Sequence, residues 1–289
     1  MMDRPIIDIT ESDLREWIVN TVLPAKPKVE RFKHLIGYVK GVFEYACDKQ
    51  YIADNPAGRI RVKSYVSRCA HDDRTDEELF FTSNETKLLQ ADFKANENNP
   101  RALIGLLSSY TGMRAGELTA LHKEDVIPGD SIYIHRQQKK NVDGADEIFY
   151  EADFTKNNRM RSDPGREFPI TPEIQEILDK AMQLPGESVY LFHDADGSWI
   201  SKDSYERYLR RHCYKLGFGS KSNNHCFRKG LNINTLIPAG FSAAERAELL
   251  GHTVRTNEQY YSLRVKVSNN EARKRIESFT MPDRLPTAT

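Results

Sequence analysis

The feature that most constrains the fold is an amphipathic stretch over residues 29–46. Its apolar side chains recur at intervals of three and four residues, which places them on one face of a helix. A shorter helical pattern precedes it, with Thr10 or Ser12 as the capping candidate. The pattern stops before Pro56, because proline disfavours α conformation in the preceding residue and lacks a backbone donor. These signals predict a small all-helical domain over residues 1–62.

The length of the chain favours a second domain. A domain usually has about 100 to 200 residues, and this chain has 289. Residues 63–79 mix basic, small and acidic side chains without apolar periodicity, a composition typical of an interdomain linker. A long surface loop inside one domain is the alternative. Residues 80–289 are then the larger domain.

The larger domain combines helical and strand patterns. Helices are predicted over residues 103–110 and 114–122, with a glycine-containing break between them. Alternating or β-rich stretches at residues 132–136, 154–156 and 167–170 predict strands. The expected fold class is α+β, mainly α with a small antiparallel sheet.

The charge of the chain is balanced in total but uneven along the sequence. The 42 basic and 42 acidic residues give no net charge, which by itself does not indicate a nucleic-acid partner. Residues 59–68, however, carry basic side chains without a carboxylate. The charged side chains of residues 202–229 are also mostly basic, with eight Lys or Arg against two acids. Such local patches suit a phosphate backbone, although ordinary solvated faces are the alternative. The candidate DNA-binding residues are Lys33, Lys40, Arg59, Arg61, Lys63 and Arg68.

Several functional classes find no support in the sequence. The four cysteines are scattered, without a Cys-x-x-Cys pair or a histidine cluster at zinc-ligand spacing, so we expect neither a disulfide nor a metal site. No apolar run approaches the roughly 20 residues that span a bilayer. The first residues lead into acidic positions rather than a secretory signal. We therefore expect a cytoplasmic protein without membrane contacts, metal or cofactor.

The residues able to carry chemistry fall into short motifs. Arg114 and Glu117 belong to Thr-Gly-Met-Arg-Ala-Gly-Glu-Leu, and a His-x-x-Arg motif begins at His225. A Leu-Leu-Gly-His motif ends at His252, and two adjacent tyrosines end at Tyr261. Each motif alone fits a surface ion pair or an ordinary structural histidine. In this order and spacing, the set resembles the active site of the tyrosine recombinase, or phage integrase, family.

The resemblance implies a tyrosine nucleophile. The nucleophile of the family lies nine residues after the histidine of the Gly-His motif, which selects Tyr261 over Tyr260. A phenol with a pKa near 10 is a poor nucleophile at neutral pH unless a neighbour takes its proton. His225 is the candidate for that assistance. A capping box starting at Thr256 is expected to place both tyrosines in the first turns of a helix.

The remaining site residues would act on the phosphate. Arg114 and Arg228 can bind its non-bridging oxygens with their paired donors, and His252 would add a hydrogen bond. Glu117 is expected to support Arg114. The resemblance also implies a lysine that protonates the leaving 5′ oxygen. Lys156 is the preferred candidate, because it precedes the strand at residues 167–170, and the alternatives are Lys139 and Lys140.

The implied function is site-specific recombination through a 3′-phosphotyrosyl intermediate, in the integration or excision of a mobile element. A Xer-like resolution recombinase, a type IB topoisomerase-like enzyme and a catalytically inactive DNA-binding module are the alternatives. Residues 1–62 would be the core-binding domain and residues 80–289 the catalytic domain. The tail at about residues 265–289 would contact another protomer, and a simple C-terminal cap on its own domain is the alternative. The implied partners are double-stranded DNA, a homotetramer on two DNA sites, and accessory DNA-bending or directionality proteins.

Overall fold

The computed structural model of the chain describes residues 4–70, 76–141, 149–154 and 165–260. The chain divides into two compact units, Met1–Arg74 and Thr75–Thr289. The described part of the first unit is helical, and the second combines helices with two small antiparallel sheets. The predicted α+β class is therefore confirmed. None of the helices in the described ranges is both long and apolar enough to cross a bilayer.

The first unit is built on two helices. The first, α1 (Glu11–Trp17), begins with a capping box in which the Thr10 hydroxyl accepts from the Asp13 amide and the Asp13 carboxylate accepts from the Thr10 amide. The second, α2 (Val29–Asp48), extends two residues beyond the predicted amphipathic stretch. Residues from both helices and from the π-helical turn between them form one apolar core. They include Leu14, Ile18, Phe32, Ile36 and Phe43.

The core of the first unit also includes residues after position 62, where the sequence analysis placed the start of a linker. Short 3₁₀ turns follow at Val62–Ser64 and Val66–Arg68. Tyr65 packs against Phe32 with ring centroids 5.9 Å apart, and Cys69 is buried in the same core. The sequence has no apolar periodicity here because irregular turns, rather than a helix, supply these buried side chains.

The second unit packs its helices around a buried central one. In chain order these helices are α3 (Ser83–Lys94), α4 (Pro100–Thr111), α5 (Ala115–Leu118), α6 (Pro172–Met182), α7 (Lys202–Lys215), α8 (His225–Leu231), α9 (Ala243–Leu250) and α10 (Val254–Tyr260). Helix α4 is the central one, because its residues are buried continuously from Ala102 to Ser109. It contacts α3, α6, α7 and α8.

The break between α4 and α5 lies where the sequence predicted it, but α5 is shorter than expected. Its four residues end at Leu118, whereas the prediction extended the helix to His122. His122 has an extended backbone and forms a β-bridge with Tyr190, which is incompatible with a continued helix. The chain therefore turns toward the sheets directly after α5.

The strands form two separate antiparallel sheets. The first has the order β1 (Val126–Ile127), β2 (Ser131–Ile134), β5 (Arg166–Pro169), and the second pairs β3 (Gln137–Lys140) with β4 (Phe149–Ala152). In the first sheet, Ile132 pairs with Phe168 and Ile134 with Arg166. The strand predicted to begin at Phe154 is not observed there, because β4 ends at Ala152. The rest of that predicted strand lies outside the described residues.

Candidate active site

Arg114 lies at the start of α5 and contacts a distant turn. Gly112 ends α4 with a φ of +59°, a conformation that favours glycine, and Arg114 then precedes α5 with an extended backbone. The Arg114 guanidinium donates from Nη1 to Glu117 Oε1 at 2.7 Å and from Nη2 to the Gly251 carbonyl at 2.9 Å. The first predicted arginine is thereby bonded to the residue that precedes His252.

Glu117 is buried between two guanidinium groups. In addition to Arg114, it accepts from Arg166, whose Nη2 lies 2.7 Å from Oε2 and whose Nη1 lies 3.3 Å from Oε1. Burial alone would raise the pKa of Glu117, but the charges of Arg166 and Arg114 lower it well below its ordinary value. The carboxylate therefore stays ionised and bridges the two arginines.

Arg166 is a residue of this network that the sequence analysis did not identify. It begins β5, is 7% exposed, and donates from Nε to the Leu249 carbonyl at 3.1 Å. Strand β5 alternates buried and exposed residues, so Arg166 faces the interior together with Phe168. That alternation is the signal that could have found it, because an arginine on the buried face of a strand needs a buried anion.

Two glycines of the motifs are required by close contacts. A Cβ at Gly116 would lie 2.8 Å from the backbone oxygen of Gln138, and a Cβ at Gly251 would lie 2.7 Å from Nη1 of Arg166. Gly251 also has a φ of +59°, which a larger residue rarely adopts. These glycines therefore allow α5 to approach β3, and the turn before His252 to approach Arg166.

The start of α8 is fixed by a buried amide that the sequence analysis also missed. Asn224 donates from Nδ2 to the Met113 carbonyl at 2.8 Å, and its Oδ1 accepts from the hydroxyls of Ser108 and Tyr205, each at 2.7 Å. His225 is the first residue of α8, as predicted, and is exposed. Because Asn224 bonds the residue before Arg114, the two motifs are connected through the backbone.

Arg228 is completely buried and joins two motifs directly. Its Nη1 donates to the Gly112 carbonyl at 2.9 Å, and its Nε donates to Nε2 of His252 at 2.8 Å. A guanidinium N–H can only donate, so Nε2 of His252 must accept and the neutral imidazole carries its proton on Nδ1. Burial and, next, the charge of Arg228 lower the pKa of His252 to about 2.

One pocket of about 280 Å³ is lined by three of the predicted catalytic residues, Arg114, His225 and Arg228. Its other lining residues are Ala115, Gly116, Gln137, Gln138, Lys202, Glu206, Asn223 and Asn224. His252 is not part of this lining but is hydrogen-bonded to Arg228, which is. Guanidinium donors suit the geometry of a phosphate, and the positive charges of Arg114 and Arg228 can neutralise a phosphodiester in this pocket.

Comparison with known families identifies the group to which this arrangement belongs. Residues 79–266, well over half of the chain, match the family model described as the phage integrase family. The chain belongs to the phage integrase family. This confirms the resemblance that the motifs around Arg114, His225 and His252 carry.

Individual relatives of this phage integrase family member are distant in sequence. A probable integrase of prophage ps2 from Lactococcus lactis subsp. lactis (strain IL1403) is 26% identical over 233 residues, which cover 78% of this chain and 60% of that protein. A Tn1549 transposon integrase in complex with transposon right end DNA superposes with a TM-score of 0.71 at 18% identity, covering 96% of this chain and 88% of that one. A lambda integrase tetramer bound to a Holliday junction gives a TM-score of 0.57 at 17% identity, covering 86% and 63%.

Two of the predicted catalytic residues of this integrase family member, Lys156 and Tyr261, lie outside the described residues, as does the tail at residues 265–289. Helix α10 ends at Tyr260. It starts at Val254, two residues before Thr256, and the Thr253 hydroxyl accepts from the N–H of Thr256 at 3.1 Å. The capping box predicted at Thr256 is therefore wrong.

The alternative lysines lie on β3. Lys139 stacks over the Phe154 ring with its Nζ 3.9 Å from the centroid, and Lys140 lies 3.4 Å from Asp203. The lining of the pocket includes Gln137 and Gln138 of the same strand but neither of these lysines.

The candidate DNA-binding residues of the first unit differ in their surroundings. The side chains of Arg59, Arg61, Lys63 and Arg68 are exposed. Lys33 is exposed as well and forms an ion pair with Glu30 at 2.6 Å. Lys40 is half-buried and donates to the Gly58 carbonyl at 3.3 Å. Lys40 therefore also stabilises the turn that follows α2.

The neutral state of His252, which is half-buried, has a consequence for acid stability. In the unfolded chain this histidine binds a proton below about pH 6.5, whereas the folded chain binds it only near a pKa of about 2. Protons therefore favour unfolding, and the contribution present above pH 6.5 is lost as the pH falls. Between pH 6.5 and pH 5 we expect the unfolding free energy of the unsubstituted chain to fall by about 1 kcal/mol more than that of His252→Gln. Urea unfolding at both pH values measures this difference. An equal fall of the unfolding free energy in the two chains would contradict a neutral imidazole at His252.

Proposed function

We propose that this member of the phage integrase family is a site-specific DNA recombinase that integrates or excises a mobile element. The observation that carries the proposal is the convergence of Arg114, His225 and Arg228 on one pocket, with His252 bonded to Arg228. A phosphodiester in this pocket would meet two guanidinium groups able to stabilise the charge of a pentavalent transition state. The prophage and transposon integrases among its relatives support DNA as the substrate.

In the proposed reaction the Tyr261 oxygen attacks the scissile phosphorus. The bond from phosphorus to the 5′ oxygen breaks, and a 3′-phosphotyrosyl bond forms in its place. His225 accepts the phenol proton, and a lysine, for which we keep Lys156, gives a proton to the leaving 5′ oxygen. A 5′-hydroxyl from a partner strand then reverses these steps, so one phosphodiester is exchanged for another without net hydrolysis.

The proposed partners are double-stranded DNA and three further copies of the chain. A lambda integrase tetramer bound to a Holliday junction supports a homotetramer that joins two DNA sites. We assign the helical first unit to core-site DNA binding and the second to catalysis, with the tail near residues 265–289 for protomer contacts. Accessory DNA-bending or directionality proteins remain part of the proposal. A cytoplasmic location is also part of the proposal.

The proposal is tested by trapping the covalent intermediate. The chain is incubated with a pool of duplexes of randomised sequence, each nicked so that cleavage nearby releases a short 5′-hydroxyl fragment and prevents religation. We expect a protein–DNA adduct that survives denaturation and forms equally with EDTA or Mg²⁺, because the pocket uses fixed cationic side chains. Sequencing the trapped DNA identifies the site. Strict dependence on Mg²⁺, or no adduct from any duplex, would contradict the proposed function.

A further inference from the structure

Lys202 lies in the pocket of the candidate active site, although no motif pointed to it. It is the first residue of α7 and lines the pocket together with Arg114, His225 and Arg228. We propose that Lys202 contacts the scissile phosphodiester as a third cation beside the two arginines. This inference rests on the proposed function and deepens it, because it adds a substrate-contacting residue to the same site.

The position of Lys202 is fixed by a buried amide. Gln138, which is 2% exposed, accepts from the Lys202 backbone N–H at 2.5 Å and donates from Nε2 to the Ile200 carbonyl at 3.2 Å. The backbone of Gln138 is also in close contact with Gly116, where a Cβ would lie 2.8 Å from its carbonyl oxygen. The start of α7, strand β3 and the α5 turn after Arg114 therefore meet at Gln138. These contacts hold Lys202 near Arg114, as is needed if both are to bind the same phosphate.

The charges around the pocket favour a role for Lys202 in binding an anion. Among the described residues, no ion pair includes Lys202, whereas Lys215 at the other end of α7 pairs with Asp92 at 2.7 Å. The positive charge of Arg114 is shared with the buried Glu117. Glu206 lines the pocket as well and lowers its positive potential further. The phosphodiester gains a second negative charge in the transition state. The positive charge of Lys202 would offset the carboxylates of Glu117 and Glu206 and help to stabilise it.

The experiment compares Lys202→Gln with Lys215→Gln, a matched change about 20 Å away at the other end of the same helix. The full-length chain is mixed with the nicked DNA recovered from the trapping experiment, and adduct formation is followed in single turnover, with DNA affinity measured separately. We expect Lys202→Gln to slow adduct formation by about 100-fold with a much smaller change in affinity. Lys215→Gln should react like the unsubstituted chain, and Lys202→Arg should keep most of the rate.

A second substrate separates charge neutralisation from a structural effect. In a methylphosphonate, a methyl group replaces one non-bridging oxygen, so the scissile group carries no charge. With this substrate the difference between Lys202→Gln and the unsubstituted chain should shrink to a few-fold, because the missing cation has less charge to stabilise. If Lys202→Gln slowed adduct formation equally on ordinary DNA and on the methylphosphonate, the assignment would be overturned. A lysine with a purely structural role would be needed equally for both substrates.

Two further results would also overturn it. Equal rates for Lys202→Gln and the unsubstituted chain on ordinary DNA would exclude contact with the scissile group. Restoration of the Lys202→Gln rate by a sulfur at the bridging 5′ position, which leaves without protonation, would make Lys202 the proton donor instead. In each case the unsubstituted chain still forms its adduct, whereas failure of the proposed function removes the adduct from every variant.

Discussion

Replacement of Tyr261 by phenylalanine is expected to abolish the covalent protein–DNA adduct, with a loss of about 10⁴-fold or more. The substitution removes only the phenol oxygen, which is the proposed nucleophile, and keeps the ring. Tyr260→Phe is the matched control and should form the adduct at a rate close to that of the unsubstituted chain. Tyr261 is the proposed nucleophile because it lies nine residues after His252, whereas Tyr260 lies eight residues after it. Gel analysis of the nicked-DNA reaction after denaturation measures both variants.

Mass spectrometry of the trapped peptide gives an independent readout of the same assignment. After nuclease digestion, the peptide that contains both tyrosines should carry the nucleotide on Tyr261. An adduct that persists in Tyr261→Phe and disappears in Tyr260→Phe would reverse the assignment. An adduct that persists in both single variants would place the nucleophile on another residue.

The second large effect is expected at Glu117, which lies 1% exposed between two arginines. Glu117→Gln removes the only carboxylate that Arg114 and Arg166 share in the described structure, so both cations lose a buried partner. We expect the free energy of unfolding to fall by about 3 kcal/mol or more. Adduct formation should fall with it, because Arg114 is no longer oriented by the bond to Oε1. Urea unfolding and the adduct assay provide the two measurements.

A second glutamate–arginine pair provides the control for Glu117→Gln. Glu124 bonds Arg136 at 2.6 Å, but its side chain is 69% exposed. Glu124→Gln should therefore change the unfolding free energy by less than about 1 kcal/mol and leave adduct formation intact. Equal stability of Glu117→Gln and Glu124→Gln would show that the buried carboxylate does not stabilise the two arginines.

The sequence predicted four candidate catalytic residues that the structure brings close together. Arg114, His225, Arg228 and His252 are recognisable because each lies in a short motif, and a motif is read along the chain. The structure brings the first three into one pocket and bonds the fourth to Arg228. The amphipathic pattern of α2 and the glycine break before α5 were predictable for the same reason, because both are local signals.

The partners of the residues that support the site could not be predicted in this way. The alternation of β5 indicates that Arg166 is buried, but not which anion it meets. Arg166 bonds Glu117 across 49 positions and Asn224 bonds Met113 across 111, so both pairings depend on tertiary packing. Gln138 likewise fixes Lys202 across 64 positions. The N-cap predicted for α10 was also wrong. Thr253 and Thr256 are both threonines and either can cap a helix, but in the structure the Thr253 hydroxyl accepts from the Thr256 N–H.

The bonds from Arg114 to Gly251 and from Arg166 to Leu249 orient two side chains and also stabilise the end of α9. Leu249 and Gly251 lie at the C-terminal end of α9, where backbone carbonyls lack partners within the helix and the helix dipole is negative. The two guanidinium groups therefore act as a cationic C-cap for α9. The end of this helix helps to offset the repulsion between closely spaced arginines, so a stable α9 and a concentrated positive charge in the candidate active site depend on the same bonds.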